Sequence, residues 1–392
     1  MAKVFGYIGH GGAESGEIFE TVKRIEDGDF ESWAKAWELT ASRVEAIARS
    51  SLQKGHPVSA RAAFQRASSY WHASAFFGTP LDPENRRRRL VQRDCFREAA
   101  KLFDPPIEIL EIPYEDGRTL PGYFLTPSAS GERRRPTLLI MGGGDTSGEE
   151  LYYWGDGAAA VARGYNALIF DFPGQPGALT HDPELFFRFD VEVPIGRVID
   201  YALARPDVDP DRLAIIGHSY GGYAVPRAAA FDQRIKAAIA FTSVPDARAG
   251  WLEALGLDPS EPYPRDLEST LGNNSVVRWL SGGIQVSHGY AGRPLAEWLD
   301  YTGLFTVEGL EDRITCPYLN IGSSGEGAGM RARAQAFYEK LTSPKMDRLI
   351  TAEEGGEAHC GLNNPSLKAQ IEFDWLDEVF GLAAPPVRPA PR

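Results

Sequence analysis

The chain has 392 residues, which is enough for one large domain with additions or for two domains. Its 43% hydrophobic, 11% aromatic and 24% charged residues are typical of a globular protein, not of a disordered or fibrous one. The formal net charge of −13 disfavours nucleic acid and anionic membranes as partners, and the basic run Arg86–Arg89 is more typical of a solvated helix face.

Targeting and membrane-spanning segments are not apparent in the sequence. No apolar run approaches the roughly 18 to 20 residues that a bilayer requires, and glycines interrupt the N-terminal segment. Cys95, Cys316 and Cys360 are widely spaced, which argues against a disulfide framework and against a zinc site. We therefore expect a cytoplasmic protein without a metal or an organic cofactor.

Residues 13 to about 103 predict a region of helices. Apolar side chains recur at helical spacing, for example at Phe19, Val22 and Ile25. Glycine and proline breaks divide the region into several helices. Its end is marked by Asp104-Pro105-Pro106, so we expect a helical, lid-like domain over residues 1–105.

After residue 105 the pattern changes to strands that alternate with helices. Residues 107–114 and 119–125 flank an Asp-Gly turn, which predicts an antiparallel hairpin. Further apolar runs predict buried strands at 137–141, 166–171, 213–218, 235–241, 318–321 and 347–350. The predicted fold class is α/β, with a mostly parallel sheet covered by helices on both faces.

The strand pattern is interrupted between about residues 246 and 312, where short helices and loops carry several aromatic residues. We interpret this segment as a cap inserted into a catalytic domain that spans residues 106–382. Residues 366–380 predict the helix that closes this domain. Residues 383–392 are rich in proline and alanine, which predicts a disordered tail.

The segment Gly217-His218-Ser219-Tyr220-Gly221 follows an apolar strand and precedes a helix-forming segment. This strand–turn–helix context is typical of a nucleophile elbow. Glycines flank the serine because the turn is tight and leaves no room for a Cβ atom. A chance match to so short a motif is the alternative, which the flanking strand and helix disfavour. Ser219 is therefore the predicted nucleophile.

Acyl transfer at a serine requires a base, a group that orients the base, and donors for the oxyanion. Only His288 and His359 follow Ser219 in the chain, and His359 lies in a glycine-rich loop between the last strand and the last helix. His359 is the predicted base, whereas His288 is expected to contact substrate or solvent. The acid stays open between Glu326, after the penultimate strand, and Asp246, after the strand before it.

Backbone amides are the predicted oxyanion donors. One is the amide of Tyr220, and the other belongs to Gly143 or Gly144 in the loop after the first buried parallel strand. A glycine run allows the backbone to approach the reacting carbonyl. Asp145 in the same loop either holds the loop or contacts the substrate, and its charge disfavours an anionic substrate group.

Several segments resemble one branch of the α/β-hydrolase superfamily, which contains 2,6-dihydroxypseudooxynicotine hydrolase and the fungal pigment hydrolases that shorten polyketide chains. These segments are residues 142–145 with Glu149-Glu150, the elbow at 217–223, residues 357–360 with 373–376, and residues 66–70 of the helical region. The resemblance covers nearly the whole chain, and it extends to FrsA-like esterases and to prolyl-oligopeptidase-type serine hydrolases.

This resemblance implies the α/β-hydrolase fold and hydrolysis of a carbon–carbon bond beside a carbonyl, in a 1,3-dicarbonyl compound or an aryl ketone. Relatives normally carry an aspartate near Ser324 or Gly325, which this chain does not. Without that aspartate, the identity of the residue that orients the base stays undecided. The difference also fits a changed reaction, such as cyclisation or acyl transfer. The alternatives are an esterase, thioesterase, peptidase or acyltransferase with the same serine, or a non-catalytic binding protein that has kept the fold.

Aromatic residues in the helical region and in the insertion point to an apolar, polyketide-like small molecule as the substrate. The candidate substrate contacts are Tyr70, Trp71, Trp251, Trp279 and Tyr290, together with Asp145 and His288. Packing in the core is the alternative for the aromatic residues. Helices around a wide sheet also suit a homodimer, which no feature of the sequence decides.

Overall fold

A computed structural model describes residues 2–127, 134–272 and 274–383 of the chain. Within these ranges eight strands form one sheet. The strands are β1 (Glu108–Pro113), β2 (Thr119–Leu125), β3 (Arg135–Met141), β4 (Asn166–Phe170), β5 (Val208–His218), β6 (Ala237–Phe241), β7 (Tyr318–Ser323) and β8 (Lys345–Ile350). The predicted tail at 383–392 lies outside the described residues except for Ala383.

The order of the strands in the sheet is β1-β2-β4-β3-β5-β6-β7-β8. Strand β2 pairs antiparallel with β1 and with β4, and the remaining neighbours pair parallel. The predicted hairpin and the mostly parallel sheet are confirmed. Since β5, β6, β7 and β8 run in the same direction, the loops that follow them meet at one edge of the sheet.

The predicted helical region is also confirmed. Its helices are Ala2–Gly6, Ser15–Val22, Phe30–Gln53, Pro57–Ala75 and Pro83–Ala100, with a 3-10 turn at Ile8–His10. Asp29 and Asp82 accept hydrogen bonds from the first turns of the third and fifth helices. These aspartates satisfy amides that have no partner inside the helix, which fixes where the two helices begin.

The other helices lie after the first hairpin. Those around the sheet are Gly148–Leu151, Gly157–Ala162, Pro176–His181, Glu192–Leu203, Gly221–Phe231, Ala328–Lys340 and Pro365–Val379, with 3-10 turns at Glu311–Arg313 and His359–Gly361. A further 3-10 turn, Glu115–Gly117, connects the two strands of the hairpin. Those of the insertion are Ala247–Ala254, Leu267–Leu271, Ser275–Trp279, Gln285–Ser287 and Leu295–Thr302, with a π turn at Leu280–Ile284.

Two hydrophobic clusters cover the two faces of the sheet. One joins the N-terminal helices and the last helix to one face, and it includes the fully buried Trp37 and Phe64. The other joins the helices at 192–203 and 221–231 to the opposite face. A third cluster around Trp298 lies within the insertion. The segments before and after residue 105 share the first cluster, and the proposed division into domains stays a prediction.

Across the described ranges, no helix combines the length and the apolar character that crossing a bilayer would require.

Candidate active site

Ser219 lies in a sharp turn between β5 and the helix Gly221–Phe231. Its φ angle is 58°, which is unusual for a residue with a side chain. Its backbone nitrogen donates to the carbonyl oxygen of Phe241 over 2.7 Å. A Cβ atom at Gly217 would lie 2.4 Å from the carbonyl oxygen of Gly221, and one at Gly222 only 1.6 Å from that of Thr242. The turn therefore requires its glycines.

His359 and Glu326 contact each other at the same edge of the sheet. Nδ1 of His359 lies 2.9 Å from Oε1 of Glu326. The second carboxylate oxygen of Glu326 accepts a hydrogen bond from Oγ1 of Thr242 and one from the amide of Ser323, over 3.3 Å. The Glu326 side chain is 2% exposed and that of His359 is 47% exposed. A buried carboxylate thus holds one nitrogen of an accessible imidazole.

Asp246, the second acid considered from the sequence, has a different environment. Its carboxylate accepts the amide of Ala249 over 3.2 Å and caps the helix Ala247–Ala254. The structure therefore brings Glu326, and not Asp246, to His359. A turn in which the amide of Glu326 donates to the carbonyl of Ser323 directs the carboxylate back toward the end of β7.

The pair has opposite pKa shifts. Burial favours the neutral acid at Glu326, but hydrogen bonds from His359, Thr242 and Ser323 hold its pKa below the ordinary value. The Cys360 sulfur and the Glu326 carboxylate raise the pKa of His359 well above its ordinary value. Sγ of Cys360 lies 3.1 Å from the Phe241 carbonyl oxygen, and the Glu326 carboxylate lies against the ring.

Ligand atoms of Glu326, His359 and Cys360 lie within 4.8 Å of one another, which is the spacing of a group that could hold a metal ion. The carboxylate of Glu326, Nδ1 of His359 and Sγ of Cys360 all take part in the contacts described above.

The glycine run after β3 lies directly against the serine. A Cβ atom at Gly143 would lie 2.9 Å from Cβ of Ser219. The amide of Gly143 donates to Oγ1 of Thr146 over 3.0 Å, and its carbonyl accepts Nε2 of Gln175 over 2.8 Å. Within the described part of the chain, no acceptor contacts the amides of Gly144 or Tyr220. The structure thus leaves Gly144, rather than Gly143, with a free donor.

A cavity of about 250 Å³ opens onto Ser219 and His359. Its lining is mostly apolar, and it includes four of the predicted substrate contacts: Asp145, Trp251, Trp279 and His288. Phe187, Val244 and Met330 also line it and were not singled out in the sequence. Their positions depend on contacts between distant segments, which no local pattern indicates.

Three predicted substrate contacts lie elsewhere. Tyr70 donates to Glu17 over 2.7 Å, and Nε1 of Trp71 donates to Glu45 over 2.9 Å, among the N-terminal helices. Tyr290 packs on the ring of Tyr301 with 5.0 Å between centroids. These residues do not line the cavity, so packing between helices accounts for them.

His288 forms part of the cavity wall. Its Nδ1 lies 2.8 Å from the carbonyl oxygen of Ile284, and its ring packs on Phe187 with 4.7 Å between centroids. Burial lowers the pKa of His288 to about 4, which keeps the ring neutral near pH 7. His288 therefore offers a neutral aromatic surface.

A second histidine–carboxylate pair lies behind the nucleophile, and sequence reasoning missed it. Nε2 of His218 lies 3.3 Å from Oδ2 of Asp156, and Nζ of Lys368 lies 2.6 Å from the same oxygen. The Glu372 carboxylate lies 3.7 Å from that ammonium. All four side chains are at most 1% exposed. The only signal was the position of His218 beside Ser219, because the other three residues are distant in sequence.

The strand order and the serine turn define the class of α/β hydrolases. Residues 149–366 match the model of the alpha/beta hydrolase family, and residues 14–247 match that of FrsA-like esterases. The chain therefore belongs to the α/β-hydrolase family and is an enzyme. Both the resemblance described from the sequence and the predicted α/β-hydrolase fold are confirmed.

Fungal hydrolases are similar to this chain along nearly its whole length. The alpha/beta hydrolase gkaG of Penicillium citrinum is 39% identical, and the alignment covers 97% of this chain and 95% of the relative. The 20-hydroxy-prefusarin hydrolase FUS2 of Gibberella moniliformis is 38% identical, with coverage of 97% and 95%. Hydrolase ORFZ of Pyricularia oryzae is 31% identical, with coverage of 98% and 96%.

Solved structures share the fold. That of 2,6-dihydroxy-pseudo-oxynicotine hydrolase superposes with a TM-score of 0.73 and 20% sequence identity, and the match covers 99% of each chain. The structure of AbyA5 superposes with a TM-score of 0.62 and 18% identity, covering 94% of this chain and 90% of the other.

Proposed function

We propose that this enzyme is a serine hydrolase in which Ser219 is the nucleophile, His359 the general base and Glu326 the acid that orients the base. The observation that carries this proposal is the convergence of three elements on one cavity. Ser219 is held with a positive φ, the buried carboxylate of Glu326 lies 2.9 Å from His359, and both Ser219 and His359 line the cavity. This arrangement supplies the nucleophile, base and orienting group of acyl transfer.

In the proposed reaction, Oγ of Ser219 attacks a carbonyl carbon while Nε2 of His359 accepts the hydroxyl proton. The Glu326 carboxylate holds Nδ1–H and stabilises the imidazolium. The free amides of Gly144 and Tyr220 are the proposed donors to the oxyanion. Collapse of the adduct expels the leaving group, which takes the proton from His359, and water then hydrolyses the acyl-enzyme to a carboxylic acid.

The proposed substrate is an uncharged apolar carbonyl compound, with a 1,3-dicarbonyl or polyketide-like ketone as the first choice. The leaving group is then an enolate carbon, which the second carbonyl stabilises. Trp251, Trp279 and Phe187 supply aromatic walls that suit a large unsaturated substrate. The similarity to a relative named 20-hydroxy-prefusarin hydrolase supports a secondary-metabolite ketone of this kind.

Ester hydrolysis by the same residues is the second candidate. The match of residues 14–247 to FrsA-like esterases favours it. An alkoxide leaving group needs no second carbonyl, so the same site accommodates both reactions. Thioesters, peptides and acyl transfer to another acceptor use the same acyl-enzyme and remain alternatives within this mechanism.

The test compares turnover of a β-diketone, an aryl ester and an acyl thioester by the wild-type enzyme and by Ser219→Ala. We expect the β-diketone to give the highest kcat/KM, and Ser219→Ala to lose all three activities. A preference of at least tenfold for the aryl ester would favour the esterase. Retention of activity in Ser219→Ala would exclude the proposed nucleophile.

A small-molecule substrate, a cytoplasmic location and a homodimer stay predictions, and size measurement in solution tests the last of these.

A further inference from the structure

The first helix, Ala2–Gly6, places a largely buried lysine, Lys3, next to the glycine-rich loop at 142–145. Nζ of Lys3 lies 3.5 Å from Oδ2 of Asp145 and 3.0 Å from Oε2 of Glu150. The Lys3 side chain is only 13% exposed. Phe76 and Trp154 place their rings 5.1 Å and 5.8 Å from the ammonium. A cation held this far from water needs its two carboxylate partners.

Glu150 connects Lys3 to the backbone that follows the loop. Its Oε1 accepts the amide of Ser147 over 3.0 Å, as part of a capping box at the start of the helix Gly148–Leu151. Its Oε2 accepts Oη of Tyr7 over 2.5 Å and Nε1 of Trp154 over 3.1 Å. The N-terminal segment thus contributes two side chains, Lys3 and Tyr7, to one buried carboxylate.

Both carboxylates that Lys3 contacts flank the loop that carries the free amide of Gly144. Asp145 follows that glycine directly, and Glu150 fixes the end of the segment at Ser147. A separate contact comes from Gln175, whose Nε2 donates to the carbonyl of Gly143, while Thr146, inside the loop, accepts the amide of Gly143. The loop therefore has two separate anchors, and Lys3 belongs to the one supplied by the N-terminal helix.

We propose that Lys3 is a positioning residue, which holds the glycine-rich loop through Asp145 and Glu150 so that the amide of Gly144 stays aimed at the reacting carbonyl. Between Gly142 and Ser147 the loop forms one turn, in which the amide of Thr146 donates to the carbonyl of Gly143 over 3.2 Å, so the position of this turn against Ser219 depends on contacts from outside the loop. This inference rests on the proposed function, because only that function makes the Gly144 amide an oxyanion donor. The ion pairs of Lys3 with Asp145 and Glu150 do not depend on it. Small displacements of an oxyanion donor reduce turnover strongly.

The first experiment measures kcat and KM for p-nitrophenyl butyrate in Lys3→Met, Lys3→Arg and a matched control, Lys35→Met. Lys35 is an exposed lysine in an ion pair with Glu31, so the control removes the same kind of charge without contact to the loop. We expect Lys3→Met to lower kcat about 10- to 100-fold with little change in KM. Lys3→Arg should stay within about fivefold of the wild-type enzyme, because a guanidinium can bind both carboxylates.

The second experiment measures amide hydrogen exchange over residues 142–147 in the same proteins. We expect Lys3→Met to speed exchange of this segment about tenfold while the core strands keep wild-type protection. Wild-type kcat and exchange in Lys3→Met would overturn the proposal. A lowered melting temperature without either change would also overturn it, because the contact would then be structural only.

Two further results keep this test separate from that of the proposed function. Retention of activity in Ser219→Ala would exclude the nucleophile, while exchange in Lys3→Met would still decide whether Lys3 holds the loop.

If Lys3→Met does not fold, Tyr7→Phe removes one donor to Glu150 and keeps the ring. We expect this variant to lower kcat about twofold to tenfold and to speed exchange at 142–147. Wild-type behaviour of Tyr7→Phe would then overturn the proposal.

Discussion

Two histidine–carboxylate pairs flank Ser219, and they differ in the proton affinity of the ring. His359 pairs with Glu326 and faces the cavity, and its pKa lies well above the ordinary value. His218 pairs with Asp156 and is fully buried, and burial together with the Lys368 ammonium lowers its pKa to about 4. The same two functional groups thus give a basic, accessible ring on one side and a neutral, buried ring on the other.

The difference arises from the surroundings of each carboxylate. Among the described residues, no lysine or arginine forms an ion pair with Glu326, so its charge acts on His359 together with the Cys360 sulfur, which raises the pKa of the ring most. At Asp156 the ammonium of Lys368 takes the anion at 2.6 Å and repels a second cation on His218. A histidine–carboxylate contact is therefore evidence of a base only when no other cation neutralises the carboxylate and the ring has access to substrate.

The largest expected effect comes from removing the two rings in turn. His359→Ala should lower kcat by at least about 10⁴-fold, because the nucleophile then has no base. His218→Asn should lower kcat far less, with its effect confined mainly to stability, because this ring is neutral and outside the cavity. Steady-state kinetics and thermal unfolding measure both variants. An equal loss of kcat in the two variants would contradict the distinction.

The next largest effect is expected from removing the negative charge of Glu326. In the proposed mechanism turnover requires neutral His359, so activity should fall as the pH drops through the raised pKa of this ring, above the ordinary 6.5. Glu326→Gln removes the anion that favours the imidazolium, so the pKa of His359 falls and the acidic limb moves to lower pH. The plateau should drop about 10²- to 10⁴-fold, because the orienting acceptor is lost. The pH dependence of kcat/KM measures both changes.

Asp156→Asn is the matched change in the buried pair. It leaves the Lys368 ammonium without its main partner, which should destabilise the fold by about 3 to 5 kcal/mol. The acidic limb of the activity profile should stay where it is in the wild-type enzyme. A shift of that limb equal to the one in Glu326→Gln would mean that the two carboxylates act on the same ring.

Substitutions in the glycine-rich loop, on the cavity side of Ser219, are expected to lower kcat by a smaller factor. A Cβ atom at Gly143 would lie 2.9 Å from Cβ of Ser219, whereas one at Gly144 would be 3.7 Å from its nearest neighbour. Gly143→Ala should therefore lower kcat about 10²-fold or more by displacing the loop or the serine. Gly144→Ala keeps its amide and should cost less than tenfold. The reverse order of losses would contradict the geometry of the loop.

The smallest effect concerns Glu372 in the buried cluster. Burial and the Asp156 anion raise its pKa well above the ordinary value, so folding favours the protonated acid. The associated stability is complete below the unfolded pKa and is lost as the pH rises through the folded one. Glu372→Gln should match the wild-type enzyme near pH 5 and be more stable by roughly 1 kcal/mol at pH 9. Urea unfolding at both pH values measures this, and equal stability of the two proteins at pH 9 would contradict the raised pKa.

The sequence was sufficient for the parts of the molecule that local patterns specify. Alternating and continuous apolar runs predicted the hairpin and the parallel strands, and the glycines around Ser219 predicted the serine turn. His359 was predicted from chain order together with its place in a glycine-rich loop between the last strand and the last helix. The choice between Glu326 and Asp246 needed the structure, because the turn at Ser323 and the helix cap at Asp246 decide where each carboxylate lies.

Other features depend on contacts between distant segments. Lys3 meets Asp145 across more than a hundred residues, and Lys368 meets Asp156 across 212. Neither lysine stands in a recognisable motif. A partial signal was available at Ser147 and Glu150, whose spacing fits a capping box. Tyr70 and Trp71 were predicted to contact the substrate, but they pack between helices. Aromatic composition alone does not distinguish these two environments.

The central claim is that Ser219 forms the covalent intermediate, and peptide mass mapping after treatment with a fluorophosphonate tests it most directly. We predict a single adduct on the peptide that contains Ser219, complete loss of activity, and no adduct in Ser219→Ala. Labelling should slow strongly in His359→Ala and remain rapid in His218→Asn. An adduct on another residue, or full activity after stoichiometric labelling of Ser219, would contradict the account.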